Sequence, residues 1–311
     1  MPPLRACAPC RLERLRLRAR PFSASPHSSS STQYLNRQLA DPYVRKRIAA
    51  GYRSRSAFKL LELDARASLL TRGATVVDLG SAPGGWAQVA VEAVCAEGAT
   101  PSYLPLIDLR DSAARHAPRA DLMTPSGRVS FFNLNAIDGG STPIAAEPRA
   151  ATHRRSRAHV FAVDLTLMAP LKGVQFVRGD AFAASTRRAL RTLLPHGRAD
   201  VVLSDMAHSF TGSSHTDSAR QAALTWAALD FGLTALSVGG HWCAKVRYGD
   251  DYSMLRSAVA RLFGQMLEVK PPASRAESPE VYLVGKRLLP NAAFSREESE
   301  ALSVLGVVSS R

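Results

Sequence analysis

From residue 75 onward the chain alternates between two patterns. Short apolar runs of four to six residues, rich in Val, Ile and Leu, end in an acid, a lysine or a glycine. Between them lie longer stretches whose apolar residues recur three and four apart. The first pattern marks strands buried on both faces, and the second marks amphipathic helices. Strands are expected at 75–79, 159–164, 173–180, 199–205, 241–245 and 281–284. Helices are expected over 58–65, from Trp86 onward, over 181–194, over 219–236 (stopped by Gly239-Gly240) and over 252–263. Ser54 or Ser56 is placed to cap the first of these. Strand and helix in strict alternation specify an α/β fold: one doubly wound, mostly parallel sheet with helices on both faces.

Three stretches fall outside this pattern. Residues 96–157 show no sustained periodicity and are rich in Pro, Ala, Arg, Ser and Gly, so a disordered insertion without chemistry is expected there. Residues 290–311 read as a C-terminal tail. Residues 1–30 carry Arg5, Arg11, Arg14, Arg16, Arg18 and Arg20 against one acid, Glu13, with interleaved leucines and then a serine cluster. That composition is the signature of a mitochondrial presequence, although a basic RNA-binding arm has the same charge. The folded domain is expected over 31–289, in the mitochondrial matrix.

Charge narrows the class of partner. The formal net charge is +14 and the pI about 10.3, so a polyanion is the natural partner, part of the charge belonging to the leader. Four cysteines in 311 residues make no disulfide framework, and Cys7-x-x-Cys10 has no second pair to complete a zinc site. No metal is expected. Neither is a membrane span, because no apolar run has the length.

The chemistry begins at Thr75-Val-Val-Asp-Leu-Gly-Ser-Ala-Pro-Gly-Gly-Trp86, a strand, a glycine-rich turn and a helix start. Such a turn opens the backbone to a ligand at the carboxyl end of the strand. A dinucleotide fingerprint needs G-x-G-x-x-G, whereas position 82 is Ala and Gly80, Gly84 and Gly85 are differently spaced. S-adenosylmethionine, which has no pyrophosphate, fits the turn better than NAD. Asp164, Asp180 and Asp205 each close an apolar run at the same sheet edge. The first is suited to ribose hydroxyls and the second to an adenine amino group. Any one of them also reads as a cap for the helix that follows. Only six of the 40 basic residues are lysines, at 46, 59, 172, 245, 270 and 286. A lysine can exchange a proton where an arginine cannot. Lys245 ends an internal strand at the ligand edge, and Lys59 leads the first helix into it.

Five segments, in order, resemble one family. They are Tyr52-Arg-Ser-Arg-Ser-Ala-Phe-Lys59, Asp78-Leu-Gly-Ser-Ala-Pro-Gly-Gly-Trp86, Ser204-Asp-Met-Ala207, Lys245-Val246 and Ser274-Arg-Ala-Glu-Ser-Pro-Glu-Val-Tyr282. The family is that of the FtsJ/RrmJ ribosomal RNA 2′-O-methyltransferases, in its mitochondrial branch. The resemblance implies a single Rossmann-like S-adenosylmethionine-dependent methyltransferase domain. It implies a catalytic tetrad of Lys59, Asp205, Lys245 and Glu280, and cofactor contacts at Gly84, Trp86, Asp164, Asp180 and Asp205. It further implies a monomeric rRNA (uridine-2′-O-)-methyltransferase acting on the precursor of the mitochondrial large ribosomal subunit. A tRNA or cap ribose methyltransferase, or a non-catalytic rRNA-binding assembly factor, are the competing readings. The family pattern has Pro-Asn where this chain has His208-Ser209, and His208 is expected to be a solvent-exposed loop residue.

Overall fold

A computed structural model describes residues 41–95, 102–109, 159–208, 211–249, 251–275 and 277–304. The expected presequence at 1–30 lies outside them. Two helices come first, α1 (Pro42–Ala50) and α2 (Ala57–Ala67), then β1 (Val76–Leu79) and α3 (Gly85–Val94). A short strand β2 (Ile107–Asp108) precedes β3 (Val160–Asp164), β4 (Val174–Arg178) and α4 (Ala184–Leu193). Then come β5 (Ala199–Ser204), α5 (Ser214–Ala235), β6 (Leu236–Arg247) and α6 (Tyr252–Leu262). The chain closes with β7 (Phe263–Val269), β8 (Glu280–Leu288) and α7 (Arg296–Val304). One eight-stranded sheet runs in the order β2-β4-β3-β1-β5-β6-β8-β7, with β8 antiparallel to both of its neighbours and the other pairs parallel. This is the mostly parallel α/β architecture that the alternating pattern specifies.

Each strand divides its side chains between two cores, as the period of two requires. Val77, Val163, Val202, Trp242, Ala244 and Leu283 join one core with residues of α4, α5, α6 and α7. Val76, Ala162, Val201, Cys243, Tyr282 and Val284 join the other with α2 and α3. Both faces of the central strands are therefore covered, which is why those strands read as unbroken apolar runs. Lys245 shares the parity of Cys243, on the α2 and α3 side, but sits at the strand end where chemistry is accessible.

Several elements differ from the sequence expectation. Helix α5 ends at Ala235 and passes directly into β6, so Gly239-Gly240 does not stop the helix. These glycines lie inside the strand, where its pairing with β5 shifts register. A Cβ on Gly240 would stand 2.9 Å from the Ser237 carbonyl oxygen and 3.0 Å from that of Asp200, so the backbones approach too closely for any side chain. The junction is held by Arg198, whose guanidinium donates to the carbonyls of Thr234 (2.9 Å) and Leu236 (3.1 Å). Strand β7 is an edge strand of mixed polarity, so its pattern lacks the unbroken apolar run used to find the others.

The stretch 96–157, expected to be a structureless insertion, contributes a strand at the opposite edge. Ile107 and Asp108 pair with Val177 and Arg178, Arg178 reaches the Asp108 carboxylate at 3.3 Å, and Gln175 donates to the Pro105 carbonyl at 2.6 Å. A two-residue strand has no periodicity to read. The rest of that stretch, 96–101 and 110–157, lies outside the described residues. Within the expected tail, α7 is a packed helix with Leu302 fully buried. Its start carries a capping box: the Ser295 hydroxyl accepts from the Glu298 amide (3.2 Å), and the Glu298 carboxylate accepts from the Ser295 amide (2.6 Å). No described helix is long and apolar enough to cross a membrane.

At the centre of the sheet, Asp78 is buried and neither carboxyl oxygen meets a donor in hydrogen-bond geometry. Burial raises its pKa to about 7, helped by the charges of Asp205 and Asp164, against downward pulls from the Ser81 hydroxyl and the Ala87 amide. A carboxyl whose folded pKa lies above its unfolded value stabilises the fold when protonated, and the benefit fades as pH rises from about 4 to 7. The melting temperature of Asp78→Asn minus that of the unaltered protein is therefore expected to climb across that window and level off above it. A pH-independent difference in thermal scans would show Asp78 to be ionised throughout.

Candidate active site

Three strand ends and one helix converge at the carboxyl edge of the sheet. Strand β5 delivers Asp205 immediately beyond Ser204, β6 delivers Lys245, β8 delivers Glu280 and Tyr282, and the first turn of α2 delivers Lys59. The antiparallel register places Lys245 opposite Tyr282 and Arg247 opposite Glu280. The four residues of the expected tetrad are thus brought to one place by sheet topology.

Their contacts form two linked pairs. The Lys245 ammonium lies 3.2 Å from a carboxylate oxygen of Asp205 and donates to the Asp205 backbone carbonyl at 2.8 Å. The same carboxylate oxygen accepts from the Tyr282 hydroxyl at 2.6 Å. Lys59 sits 3.8 Å from Glu280 and 5.6 Å from the centroid of the Tyr282 ring, within cation–π range. Tyr282 therefore joins the pairs, through its hydroxyl on one side and its ring on the other. Burial works against ionisation of Asp205, yet the charges of Lys245 and Lys59 and the Tyr282 and Lys245 hydrogen bonds outweigh it, holding its pKa below the ordinary carboxylate value. Burial first, then the charge of Asp205 and its hydrogen bond, then the charge of Glu280, push the fully buried Tyr282 hydroxyl far above its usual pKa. The result is a fixed anion with one ammonium held against it at the ligand edge, only 6% exposed.

The turn after β1 forms the other half of the site. Gly84 caps α3 with φ +106°, a conformation that side-chain-bearing residues rarely adopt, and a Cβ there would come within 2.8 Å of the Met168 sulfur. No side chain caps α3, so its first amides face the turn unsatisfied by the helix and suit an anionic group such as an amino-acid carboxylate. Trp86 is nearly buried; its indole N–H donates to the Ser56 carbonyl at 2.8 Å and its ring lies 5.7 Å from that of Tyr282. Its side chain belongs to the core beneath the site, so any contact with a cofactor comes from its backbone.

Asp164 accepts from the Ala82 amide (2.9 Å) and the Thr166 amide (2.6 Å), tying the glycine turn to the end of β3. Asp180 is exposed and accepts from the Phe182 amide at 2.9 Å. Each therefore turns its own loop while standing at the carboxyl edge of the sheet. An amide-lined turn with carboxylates beyond it fits a cofactor made of an amino acid and a nucleoside.

Other residues hold this geometry and carry no obvious signal in the sequence. On α5, Thr225 donates to the Lys245 carbonyl at 2.9 Å, while the Gln221 amide reaches the carbonyls of Met206 (3.2 Å) and Lys245 (3.3 Å). One buried side chain thus links the loop bearing Asp205 to the strand bearing Lys245. Arg53 donates to the carbonyls of Ala169 and Pro170, both at 2.6 Å, and reaches that of Pro83 at 3.4 Å, joining the turn before α2 to the two cofactor loops. Ser56 begins α2 without a side-chain cap; its hydroxyl pairs with that of Ser54 at 2.6 Å instead. His208 is not solvent-exposed: its side chain is 9% accessible and its ring nitrogen lies 3.8 Å from Asp217, which also accepts from the Thr211 amide and hydroxyl. The first turn of α5 has drawn that loop inward.

Similarity to known proteins identifies the family. The FtsJ-like methyltransferase family model matches residues 52–139 and 119–288. The ribosomal RNA large subunit methyltransferase E of Azorhizobium caulinodans is 33% identical over 284 residues, covering 91% of this chain and 94% of its own. The protein of the same name from Roseobacter denitrificans is 35% identical over 268 residues, covering 86% and 90%. A ribosomal RNA methyltransferase from Plasmodium falciparum shares the fold at 21% identity, with a TM-score of 0.52 over 77% of this chain and all of that one. With its glycine turn, strand-end acids and paired lysines in family order, this chain belongs to the FtsJ-like methyltransferases, which take their methyl group from S-adenosylmethionine.

Proposed function

We propose that this protein methylates the 2′-hydroxyl of a uridine ribose in the large-subunit ribosomal RNA of mitochondria, acting as a monomer in the matrix during subunit assembly. The observation that carries the chemistry is the Lys245 ammonium held 3.2 Å from the Asp205 carboxylate at the open edge of the sheet. RNA as substrate is supported by the relatives' names and by the net charge of +14. The organelle is supported by the Arg-rich, acid-poor first thirty residues, and the uridine by the family resemblance.

A ribose hydroxyl is a weak nucleophile until its proton is removed or strongly polarised. S-adenosylmethionine supplies a methyl group already activated by its positive sulfur, so the protein's work is alignment and management of that proton. Lys245 polarises or receives the hydroxyl proton. Asp205 keeps the Lys245 amine from turning away, using a carboxylate oxygen and its own carbonyl. Tyr282 fixes the Asp205 carboxylate, and Glu280 with Lys59 forms the second wall beside the acceptor. Asp164 and Asp180, with the amide end of α3 at Gly84 and Trp86, hold the cofactor.

Incubating the protein with labelled S-adenosylmethionine and mitochondrial large ribosomal particles tests this reading. Label is expected on one ribose of the large-subunit RNA, at a site that loses ribose methylation in cells lacking the protein. Label on a base, on transfer RNA or on protein would overturn it.

Two substitutions test the assigned roles. Lys245→Arg keeps the charge but cannot shed a proton and replaces a compact ammonium with a planar fork. Single-turnover transfer is expected to slow by roughly 10²–10⁴-fold with cofactor affinity retained. Near-normal turnover would reduce Lys245 to a phosphate contact. Asp164→Ala removes charge-assisted hydrogen bonding at the cofactor edge and is expected to weaken S-adenosylmethionine binding by about 2–3 kcal/mol, some tenfold to a hundredfold by calorimetry. Unchanged affinity with a lowered melting temperature would leave Asp164 only its role in tying Ala82 and Thr166.

A further inference from the structure

Beside the catalytic edge lies a second concavity that the tetrad and the cofactor cradle do not use. It opens between the first turns of α5 and α6 and the end of β6, with a volume of about 240 Å³. Its floor is apolar, from Val246 and Leu255, and its walls carry His215, Ser218, Arg247, Asp251 and Tyr252. Pockets for whole small molecules run to roughly 300–1,000 Å³, so this one has room for a single planar ring system.

The walls are set in advance. The Tyr252 hydroxyl donates to Glu268 on β7, and the Tyr252 ring packs edge-on against that of Tyr248 at 4.8 Å between centroids. Glu268 also accepts from the Tyr248 hydroxyl at 2.5 Å, so one carboxylate fixes both rings. In the same lining the Arg247 guanidinium is pinned through Nε to the Ser218 hydroxyl at 3.2 Å. The remaining N–H groups of Arg247 have no partner among the described residues. Gly249 closes the wall by packing directly on Ser218, where a Cβ would come within 3.0 Å. A fixed aromatic ring and a fixed guanidinium lining one cavity are the combination that stacks and hydrogen-bonds an unpaired base. Because neither side chain needs to be ordered on binding, little affinity is lost to conformational entropy.

Position selects the occupant. Arg247 stands two residues beyond Lys245 on the same strand, about 7 Å along it. We propose that this cavity receives the base of a nucleotide next to the methylated one, splayed out of an unpaired stretch of the substrate RNA. The proposal rests on ribose methylation of RNA as the activity of the neighbouring site. It makes Tyr252 and Arg247 determinants of which RNA segment is accepted, and it excludes a continuous duplex as substrate, since a paired base cannot enter.

The test pairs the protein with altered RNA. Single-turnover methylation is measured over a range of concentrations of an unpaired RNA segment bearing the target ribose, and of the same RNA with an abasic nucleotide immediately 5′ or 3′ of the target. One abasic position is expected to weaken RNA binding roughly five- to a hundredfold with the maximal rate little changed. Tyr252→Leu on the intact RNA is expected to lose a similar factor, while Tyr252→Phe, which keeps the ring, recovers most of it. S-adenosylmethionine affinity serves as the check that each variant is folded. The decisive outcome is non-additivity: Tyr252→Leu should lose nothing further on the abasic RNA. Losses that multiply, or no loss at either abasic position with the unaltered protein, would overturn the pocket while leaving ribose methylation standing. Absence of any methylation by the unaltered protein, on the RNA segment and on large ribosomal particles alike, would remove both readings together.

Discussion

Taking a carboxylate out of water costs several kcal/mol unless charges and hydrogen bonds replace its hydration, and breaking such a buried pair costs about 3–5 kcal/mol. Asp205 is in that position at the end of β5, and the surrounding structure is arranged to meet its demand. Lys245 supplies the opposite charge, Tyr282 a hydroxyl, and Lys59 a more distant charge across the Tyr282 ring. These partners come from α2, β6 and β8, elements far apart in sequence, so the anion cannot be satisfied until the sheet has closed in register. The same requirement aims the Lys245 ammonium, which has two acceptors on Asp205 at the carboxyl edge of the sheet.

The loops around this anion are secured chiefly through their backbone carbonyls. Gln221 and Thr225 hold the carbonyl of Lys245, Arg53 holds those of Ala169 and Pro170, and Arg55 holds that of Ala273 at 2.6 Å. A carbonyl clamp fixes the path of a loop without specifying its side chains. That leaves residues such as Asp164 and Asp180 to combine a turn-forming hydrogen bond with exposure at the cofactor edge.

This division explains what the sequence made legible. Apolar runs located the six inner strands because burial on both faces leaves a contiguous signal, and acids at their ends located the ligand edge. Lys59, Asp205, Lys245 and Glu280 stood out as family motifs, and the topology draws them together. Gln221, Thr225 and Tyr282 escaped notice in their roles, since a polar residue on one turn of a helix or an aromatic in a strand reads as ordinary packing. Strand β7 and the short β2 have no long apolar run, and each is recognised only by its partner. Helix α7 did carry a local sign, Ser295 followed three residues later by Glu298, the spacing of a capping box. Gly239-Gly240 misled because a glycine pair after a helical pattern commonly ends it; here the close approach of β5 requires Gly240, and a positive φ of +85° favours glycine at 239.

The two kinds of cation also divide their labour by geometry. An arginine fork presents several N–H groups in a plane, and Arg53 uses two arms on adjacent carbonyls at equal distance. Arg198 instead uses the two hydrogens of one nitrogen on the carbonyls of Thr234 and Leu236, holding a helix against the strand that follows it. At Asp205 the problem is different. One compact nitrogen must reach both a carboxylate oxygen and the carbonyl of the same residue and still present hydrogen to a third atom, which the three hydrogens of an ammonium can do, whereas a guanidinium nitrogen carries at most two. In a chain whose basic residues are overwhelmingly arginine, the lysine at the end of β6 is therefore dictated by the shape of its acceptors as much as by its capacity to exchange a proton. The charge alone would have been supplied by either.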